Sequence, residues 1–388
     1  MHRRNVLQLL GATAVAAAYG SSARAARSGD RVVVIGAGIL GAAISYHLAR
    51  RGAKVTLLEK TAPASGTTGD SFAYLNASTK SSSRPYFDLN ARGMAGWRRW
   101  QAEFGAALPL QWGGSIYWRD ENAAAEKLLS TLRICQEWGY SGRRVDEGEL
   151  RGLLPKASLG RVDGAVVYEE EGVVDPVGAV RVLLDRAKAL GATLRFPVEV
   201  TGIDVAGDRV RGVKTNEGNI EADTVVVAAG IGSQWLANSL GVKLPLVPSP
   251  GVLIHTAPQP KLLDSVVFAP TSTVKQSLDG RIVSSSGHEG SSEGGDLQQQ
   301  GQRILANAAR YFPTLKDAKI ERVSHGLRVL PQDGFPVLGY APKVGNLYLA
   351  VTHSGITLAP AVAQFATQEI LDGIAPDVLA PFRPTRFA

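Results

Sequence analysis

Gly36-Ala37-Gly38-Ile39-Leu40-Gly41 carries three spaced glycines, and Glu59 follows Gly36 by 23 residues. Each glycine answers a separate physical need. Gly36 permits a tight turn. Gly38 has no side chain to hold a phosphate away from a helix N-terminus. Gly41 lets a helix and a strand pack closely. Glu59, with Lys60 beside it, is placed to accept from both hydroxyls of a ribose. The chemistry these residues serve is recognition of a dinucleotide by its pyrophosphate and one sugar.

Such a cradle works only between the right elements. Arg31-Val32-Val33-Val34-Ile35 is apolar and β-branched, which predicts a buried parallel strand. Ala42 to Arg51 puts Ala43, Ile44, His47 and Leu48 along one side and predicts a helix, with Gly52 at its C-terminus. Lys54-Val55-Thr56-Leu57-Leu58 predicts a second buried strand ending at the acid. The full strand–helix–strand unit is far more specific than the glycines alone. The spacing itself does not choose between NAD and FAD.

Ala64-Ser65-Gly66-Thr67-Thr68-Gly69-Asp70-Ser71 follows as a small, hydroxyl-rich loop. Its hydroxyls and backbone N–H groups suit a longer dinucleotide, bound along its phosphates and a ribityl chain. Here the sequence resembles the D-amino-acid oxidase and dehydrogenase superfamily of FAD enzymes, which includes glycine oxidase, sarcosine oxidase and D-amino-acid dehydrogenase. Further motifs keep that family's order. They are Gly172-Val173-Val174-Asp175-Pro176, Val198-Glu199-Val200, the stretch from Ala222 to Ala229-Gly230, Gly326-Leu327-Arg328 with Asp333 to Gly339, and Thr352-His353-Ser354-Gly355-Ile356-Thr357. The resemblance implies noncovalent FAD, with Val200 meeting adenine through its backbone and Ala229 and Gly230 closing over a ribose.

It also implies an α/β architecture: an FAD-binding Rossmann-type domain interleaved with a mostly antiparallel β-sheet substrate domain. The first is expected at 30–76, 152–233 and 322–373, the second at 77–151 and 234–321, with a C-terminal tail at 374–388.

A flavin that accepts a hydride asks the protein to orient and polarise a C–H bond, so no metal and no nucleophile is needed. The resemblance puts Arg328 where the family binds a substrate carboxylate. A planar guanidinium can grip that group with two parallel hydrogen bonds; a structural ion pair is the competing reading. Gly355, Ile356 and Thr357 predict a helix start whose free N–H groups would face the flavin N1 and C2 carbonyl. His353 and Tyr74 complete the candidate catalytic set, although a packed histidine is an equal reading of His353. Asn76, Lys275, Gln276, His288 and Glu289 are pocket candidates by place in the family pattern. Trp97, Trp100 and Phe104 form a stripe that reads as core, and Cys135 reads as a buried small hydrophobe.

The chain departs from family members at two places. Glycine oxidase has an additional arginine near the final turn, where this chain has Ser354. Sarcosine oxidase has a lysine near its oxygen site, where the loosely matching stretch here is Ser284-Ser285-Ser286. The latter favours a dehydrogenase passing electrons to a quinone or another acceptor. The expected reaction is oxidation of the C–N bond of a D-amino acid or related amine acid, the imine then hydrolysing. The alternatives are a glycine- or sarcosine-type oxidase producing peroxide, a flavoprotein that relays electrons without its own small substrate, and, more weakly, a nicotinamide dehydrogenase.

Composition sets the outer bounds. The 388 residues are 45% hydrophobic and 20% charged, enough for a large core. One cysteine excludes an intramolecular disulfide. The net charge is +7, of which Arg3, Arg4 and Arg24 supply three; the remaining +4 does not argue for nucleic acid. Arg3-Arg4, an uncharged stretch from Val6 to Ser22 and Ala23-Arg24-Ala25 resemble a twin-arginine export signal over residues 1–25, which implies a periplasmic protein. The stretch is too short and polar for a stable membrane span.

Overall fold

The computed structural model describes residues 29–285 and 296–388. The expected export signal, His288 and Glu289 lie outside the described residues.

Arg31–Ile35 sits inside a six-stranded sheet because both its faces are apolar. Val32 and Val34 face one hydrophobic cluster, Val33 and Ile35 another. The strand order is Val337–Tyr340, Leu347–Val351, Thr224–Val227, Arg31–Ile35, Lys54–Leu58, Thr193–Arg195. All neighbours are parallel except the first pair. On one face the helix Ile39–Arg50 packs between the helices Pro176–Ala189 and Gly355–Thr367. On the other lies a three-stranded meander, Val200–Ala206, Arg209–Thr215 and Gly218–Glu221, which buries Ile203, Val210 and Val213.

A second sheet has eight strands, ordered Ile320–Pro331, Leu246–Pro258, Arg281–Ser285, Ser272–Gln276, Val266–Ala269, Ser115–Arg119, Gly164–Tyr168, Arg143–Val145. Pairing is antiparallel except between Val266–Ala269 and Ser115–Arg119. Strand alternation gives this sheet two unlike faces. Ile116, Val267, Val274, Ile282 and Ile254 form the back, under the helix Leu297–Tyr311. Tyr117, Phe268, Lys275, His255 and Arg328 point from the front, by the registers that pair Tyr117 with Phe268, Lys275 with Val283, His255 with Arg322 and Ser249 with Arg328. The segment from Asp70 to Tyr74 runs over this front. Phe72 lies under Lys275, the Tyr74 ring is 5.2 Å from Phe268, and a β-carbon on Gly326 would meet Asp70 at 2.8 Å.

Sheet membership differs from the expected division at two places. Residues 322–331 pair with Leu246–Pro258 and so belong to the large sheet, as does Gly164–Tyr168. Both pairings join distant segments, which local periodicity does not reveal. Residues 374–388 are not a loose tail. Leu379 and Phe382 are buried in the main cluster, and Arg383 pairs with Glu369 at 2.5 Å. Trp97, Trp100 and Phe104 are core residues. Among the described residues no helix is long and apolar enough to cross a membrane.

Candidate functional site

A cleft of about 550 Å³ opens at the carboxyl ends of the parallel strands, where a doubly wound sheet holds its ligand. Gly36, at φ +102°, makes the turn out of the first strand, and a β-carbon there would lie 2.6 Å from Ala228 O. Gly41 is as tightly constrained, its absent β-carbon falling 1.9 Å from Gly36 O. Gly38 forms the N-cap of the Ile39–Arg50 helix with no side-chain cap and no acid in the first turn. That leaves the positive end of the helix facing the cleft.

The loop after Glu59 closes on this turn. Ile39 N donates to Thr68 Oγ1 at 3.1 Å, and a β-carbon on Gly38 would meet the same oxygen at 3.0 Å. Glu59 Oε2 accepts from Ala37 N at 3.0 Å, while Oε1 accepts from Thr61 N at 3.0 Å and Thr61 Oγ1 at 3.2 Å. A carboxylate has about four acceptor sites, so one remains for a sugar hydroxyl. Thr67 Oγ1 donates to Leu327 O at 2.8 Å, and Arg322 pairs with Asp70 at 2.5 Å. These two contacts tie the loop to the edge strand of the large sheet.

The cleft brings together Gly36, Gly38, Ile39, Leu40, Glu59, Lys60, Ser65, Gly66, Thr67, Thr68, Val200, Ala229, Gly230, His353, Gly355 and Ile356. Gly41, Gly69, Thr357, Tyr74 and Arg328 stand outside its lining. Gly69 packs within the loop, where a β-carbon would meet Ala64 O at 2.5 Å. Thr357 Oγ1 donates to Tyr74 O at 3.2 Å and so fixes the start of the Gly355–Thr367 helix to the strand Tyr74–Leu75. Thr352 Oγ1, beside His353, is buried with no hydrogen-bond partner among the described residues and belongs to a lining residue. An orphaned hydroxyl, two uncapped helix starts and a glycine cradle are what an extended, hydrogen-bonding anion with a heterocycle at each end requires; the residues present fit FAD.

Tyr74 is turned away from the cleft. Its hydroxyl donates to Glu171 Oε2 and lies 3.1 Å from Tyr117 OH. Glu171 is fully buried and accepts also from Ser115 Oγ at 2.5 Å, Tyr140 OH at 3.1 Å and Ser78 N at 3.1 Å. Burial pushes its carboxyl above the ordinary range, against the pull of those donors. The phenol of Tyr74 is raised well above its usual value, chiefly by burial and next by the Glu171 charge. Gln276 is structural: Nε2 donates to Gln259 O, Pro260 O and Gly280 O, and Oε1 accepts from Leu262 N and Leu263 N.

Arg328 shares the front face with Ser249 and Gly251, opposite in direction to Leu327 and Val329, which line the cleft. Its Nη1 donates to Ser249 Oγ at 3.1 Å. Among the described residues no carboxylate pairs with it, and burial alone lowers its pKa. Cys135, the sole cysteine, is fully buried outside the cleft, so no cysteinyl link to a cofactor forms there.

Sequence reasoning missed Glu171, Ile231 and Trp235, and quoted Thr352 only as part of a motif, with no role of its own. Glu171 ends the acidic run Glu169-Glu170-Glu171, which looks solvated; only its place two residues before Val173 of a buried strand hints otherwise.

Comparison with known proteins gives the same picture. The glycine oxidase of Pseudomonas aeruginosa is 28% identical over 376 residues, covering 92% of this chain and 98% of that protein. The 4-methylaminobutanoate oxidase (formaldehyde-forming) of Paenarthrobacter nicotinovorans is 26% identical over 368 residues, or 88% of this chain; the chain spans only 44% of that longer protein. The solved L-proline dehydrogenase from P. horikoshii has the same fold, with a TM-score of 0.84 at 22% identity over 93% of this chain and 98% of that one. The family described as FAD dependent oxidoreductase, DAO, matches residues 31–369, a span that runs from the glycine cradle through the helix after His353. The chain therefore belongs to the DAO family of FAD-dependent oxidoreductases, and its cofactor is noncovalent FAD.

Proposed function

We propose that the protein oxidises the C–N bond of a D-amino acid or a related secondary amine acid, giving an imine that water hydrolyses. FAD, when bound, supplies the hydride acceptor. The chain's own part is to hold the substrate in one orientation. Arg328 carries this reading. Its guanidinium is half-buried on the face crossed by the Asp70-to-Tyr74 segment, and its hydrogen-bond partner among the described residues is a neutral serine, Ser249. The neighbouring Arg322 and Arg281 are instead paired with Asp70 and Glu321. A cation without an ion pair among the described residues is suited to a ligand carboxylate, whose position then fixes which C–H bond faces the cofactor. The uncapped start of Gly355–Thr367 offers positive potential where the cofactor becomes electron-rich. His353 lines the cleft just before this start and is assigned to contact with cofactor or substrate.

The test is anaerobic mixing of the purified holoprotein with a panel of D-amino acids and N-methyl amino acids, read by loss of flavin absorbance near ~450 nm. Bleaching by one carboxylated amine supports the reading; no bleaching by any of them leaves a protein that relays electrons without a small substrate. The likeness to a glycine oxidase favours a second reading, an oxidase of glycine or sarcosine type. Peroxide formed in air at the rate of turnover selects it over a dehydrogenase using a quinone or another acceptor. The proposed export by residues 1–25 is tested with a reporter fusion, in which exchanging Arg3-Arg4 for two lysines should retain the reporter in the cytoplasm.

A further inference from the structure

Large apolar side chains are mostly buried among the described residues, and of the eleven that are exposed three fall together in one place. Trp235 is 56% exposed, Leu327 40% and Ile231 37%, and all three line the dinucleotide cleft. Ile231 and Trp235 lie just beyond Gly230, on the turn Gly230–Gly232 and the helix Ser233–Asn238. Gly230 is held at φ +58° next to Val329 on the edge strand, while Ala228 abuts Gly36. The chain after the fourth parallel strand is thereby folded back over the glycine turn. Leu236, on the same short helix, anchors it in the core. The side of this wall that bears Trp235 is left bare toward the cleft that also contains Glu59, Lys60 and Val200. An indole in that position is a large flat surface awaiting a flat partner.

We propose that Trp235, backed by Ile231, is a cofactor-binding residue that packs against the adenosine half of FAD. The inference rests on FAD occupying the cleft and not on any substrate. Burying an exposed indole against a base is favourable for any purine, because every base offers a π-face. It adds affinity and covers the open side of the cleft without a hydrogen bond. The physical role is retention of the cofactor, distinct from orientation of the reacting bond.

Apoprotein titrated with FAD, FMN and ADP tests this, with tryptophan emission and equilibrium dialysis as readouts. In the wild type, FAD and ADP should both quench the emission of Trp235, identified as the part missing from W235F or W235A, and FMN should not. W235A should bind FAD roughly ten- to a hundredfold more weakly, the range expected for loss of one base–aromatic contact. Its weak affinity for FMN should be unchanged, and W235F should recover most of the loss. Equal FAD affinity in wild type and W235A would overturn the proposal, as would equal weakening toward FMN and FAD, which would mean a general disturbance of the cleft. Failure of the substrate panel leaves these titrations unaffected, so the two readings fail separately.

Discussion

Trp97 Nε1 donates to the carbonyl of Ile356 at 2.9 Å, joining the helix Arg84–Phe104 to the first turn of the helix Gly355–Thr367. The two helices touch along a stripe of small residues. A β-carbon on Gly93 would lie 2.2 Å from Thr357 O, and one on Gly96 would lie 2.4 Å from Pro360. The position of the helix start at the cofactor cleft is thus set by a helix that contributes nothing to the cleft lining. Replacing Gly93 by alanine forces the helices apart at the turn that faces the cleft. We expect G93A to lose about 1–3 kcal/mol of stability, typical of an overpacked core, and to bind FAD at least several-fold more weakly. Thermal denaturation of apo and FAD-loaded protein checks both. An unchanged FAD-induced rise in Tm would show that the helix start is not held by this contact.

Arg328 gives the most direct test of substrate orientation. R328A removes a charge-assisted contact, each such hydrogen bond contributing about 1.5–3 kcal/mol. We expect kcat/KM for the preferred carboxylated amine to fall about a hundredfold or more. FAD content and Tm should stay near wild type, because Arg328 lies outside the dinucleotide cleft and bonds only a serine hydroxyl among the described residues. The same amine without its carboxylate should react equally with both proteins. Loss of FAD in R328A would instead make the arginine a structural residue.

Local pattern carried the cofactor cradle and lost the rest where distant segments decide. The strand Arg31–Ile35, the helix after Gly38 and Glu59 lie within one stretch of chain, so alternation, periodicity and glycine spacing reveal them together. Gly326-Leu327-Arg328 stands out in the sequence as a motif, but the strand Ile320–Pro331 that carries it pairs with Leu246–Pro258, far off in sequence, and that pairing decides which sheet owns Arg328. Tyr74 sits near the cofactor loop as expected, yet its hydroxyl is claimed by Glu171, 97 residues away. Gln276 differs from Lys275 by one position on a strand. That single step turns its amide to the back of the sheet, where five hydrogen bonds hold the turn around Gln259 and Gly280.

Lys275 is 4% exposed, with its ammonium 5.2 Å from the Phe72 ring and no carboxylate bonded to it among the described residues. Burial pushes its pKa down to about 8. The unfolded chain, with lysine near ~10.4, therefore holds more protons between about pH 8 and 10, and stability should rise with pH across that window. Below it the full cost of burying the charge is present. K275M keeps the length and apolar stem, so it should be more stable than wild type near pH 7, by of order 1–3 kcal/mol, and the difference should shrink toward pH 10. Urea unfolding at the two pH values measures this. A constant difference would mean that Lys275 titrates normally.

Glu171 should give the opposite slope. Its carboxyl is raised by burial, so between the ordinary glutamate value near ~4.3 and its folded value the native state holds the extra proton. The stability it confers is complete below that window and is lost as pH rises through it. E171Q is neutral at every pH and can still meet hydroxyls that rotate to donate or accept, so it should fold and should lack this part of the slope. E171A is different. It leaves Tyr74 OH, Ser115 Oγ, Tyr140 OH and Ser78 N without their acceptor in a closed interior, and each unmade bond costs about 1–3 kcal/mol. We expect E171A to lose several kcal/mol by that measure and, because Tyr74 O also receives Thr357 Oγ1, to loosen the start of the Gly355–Thr367 helix. Hydrogen exchange at Ser78 and at the first turn of that helix would report the loosening directly. Identical pH slopes in wild type and E171Q would show that the four donors, not burial, set the protonation of Glu171.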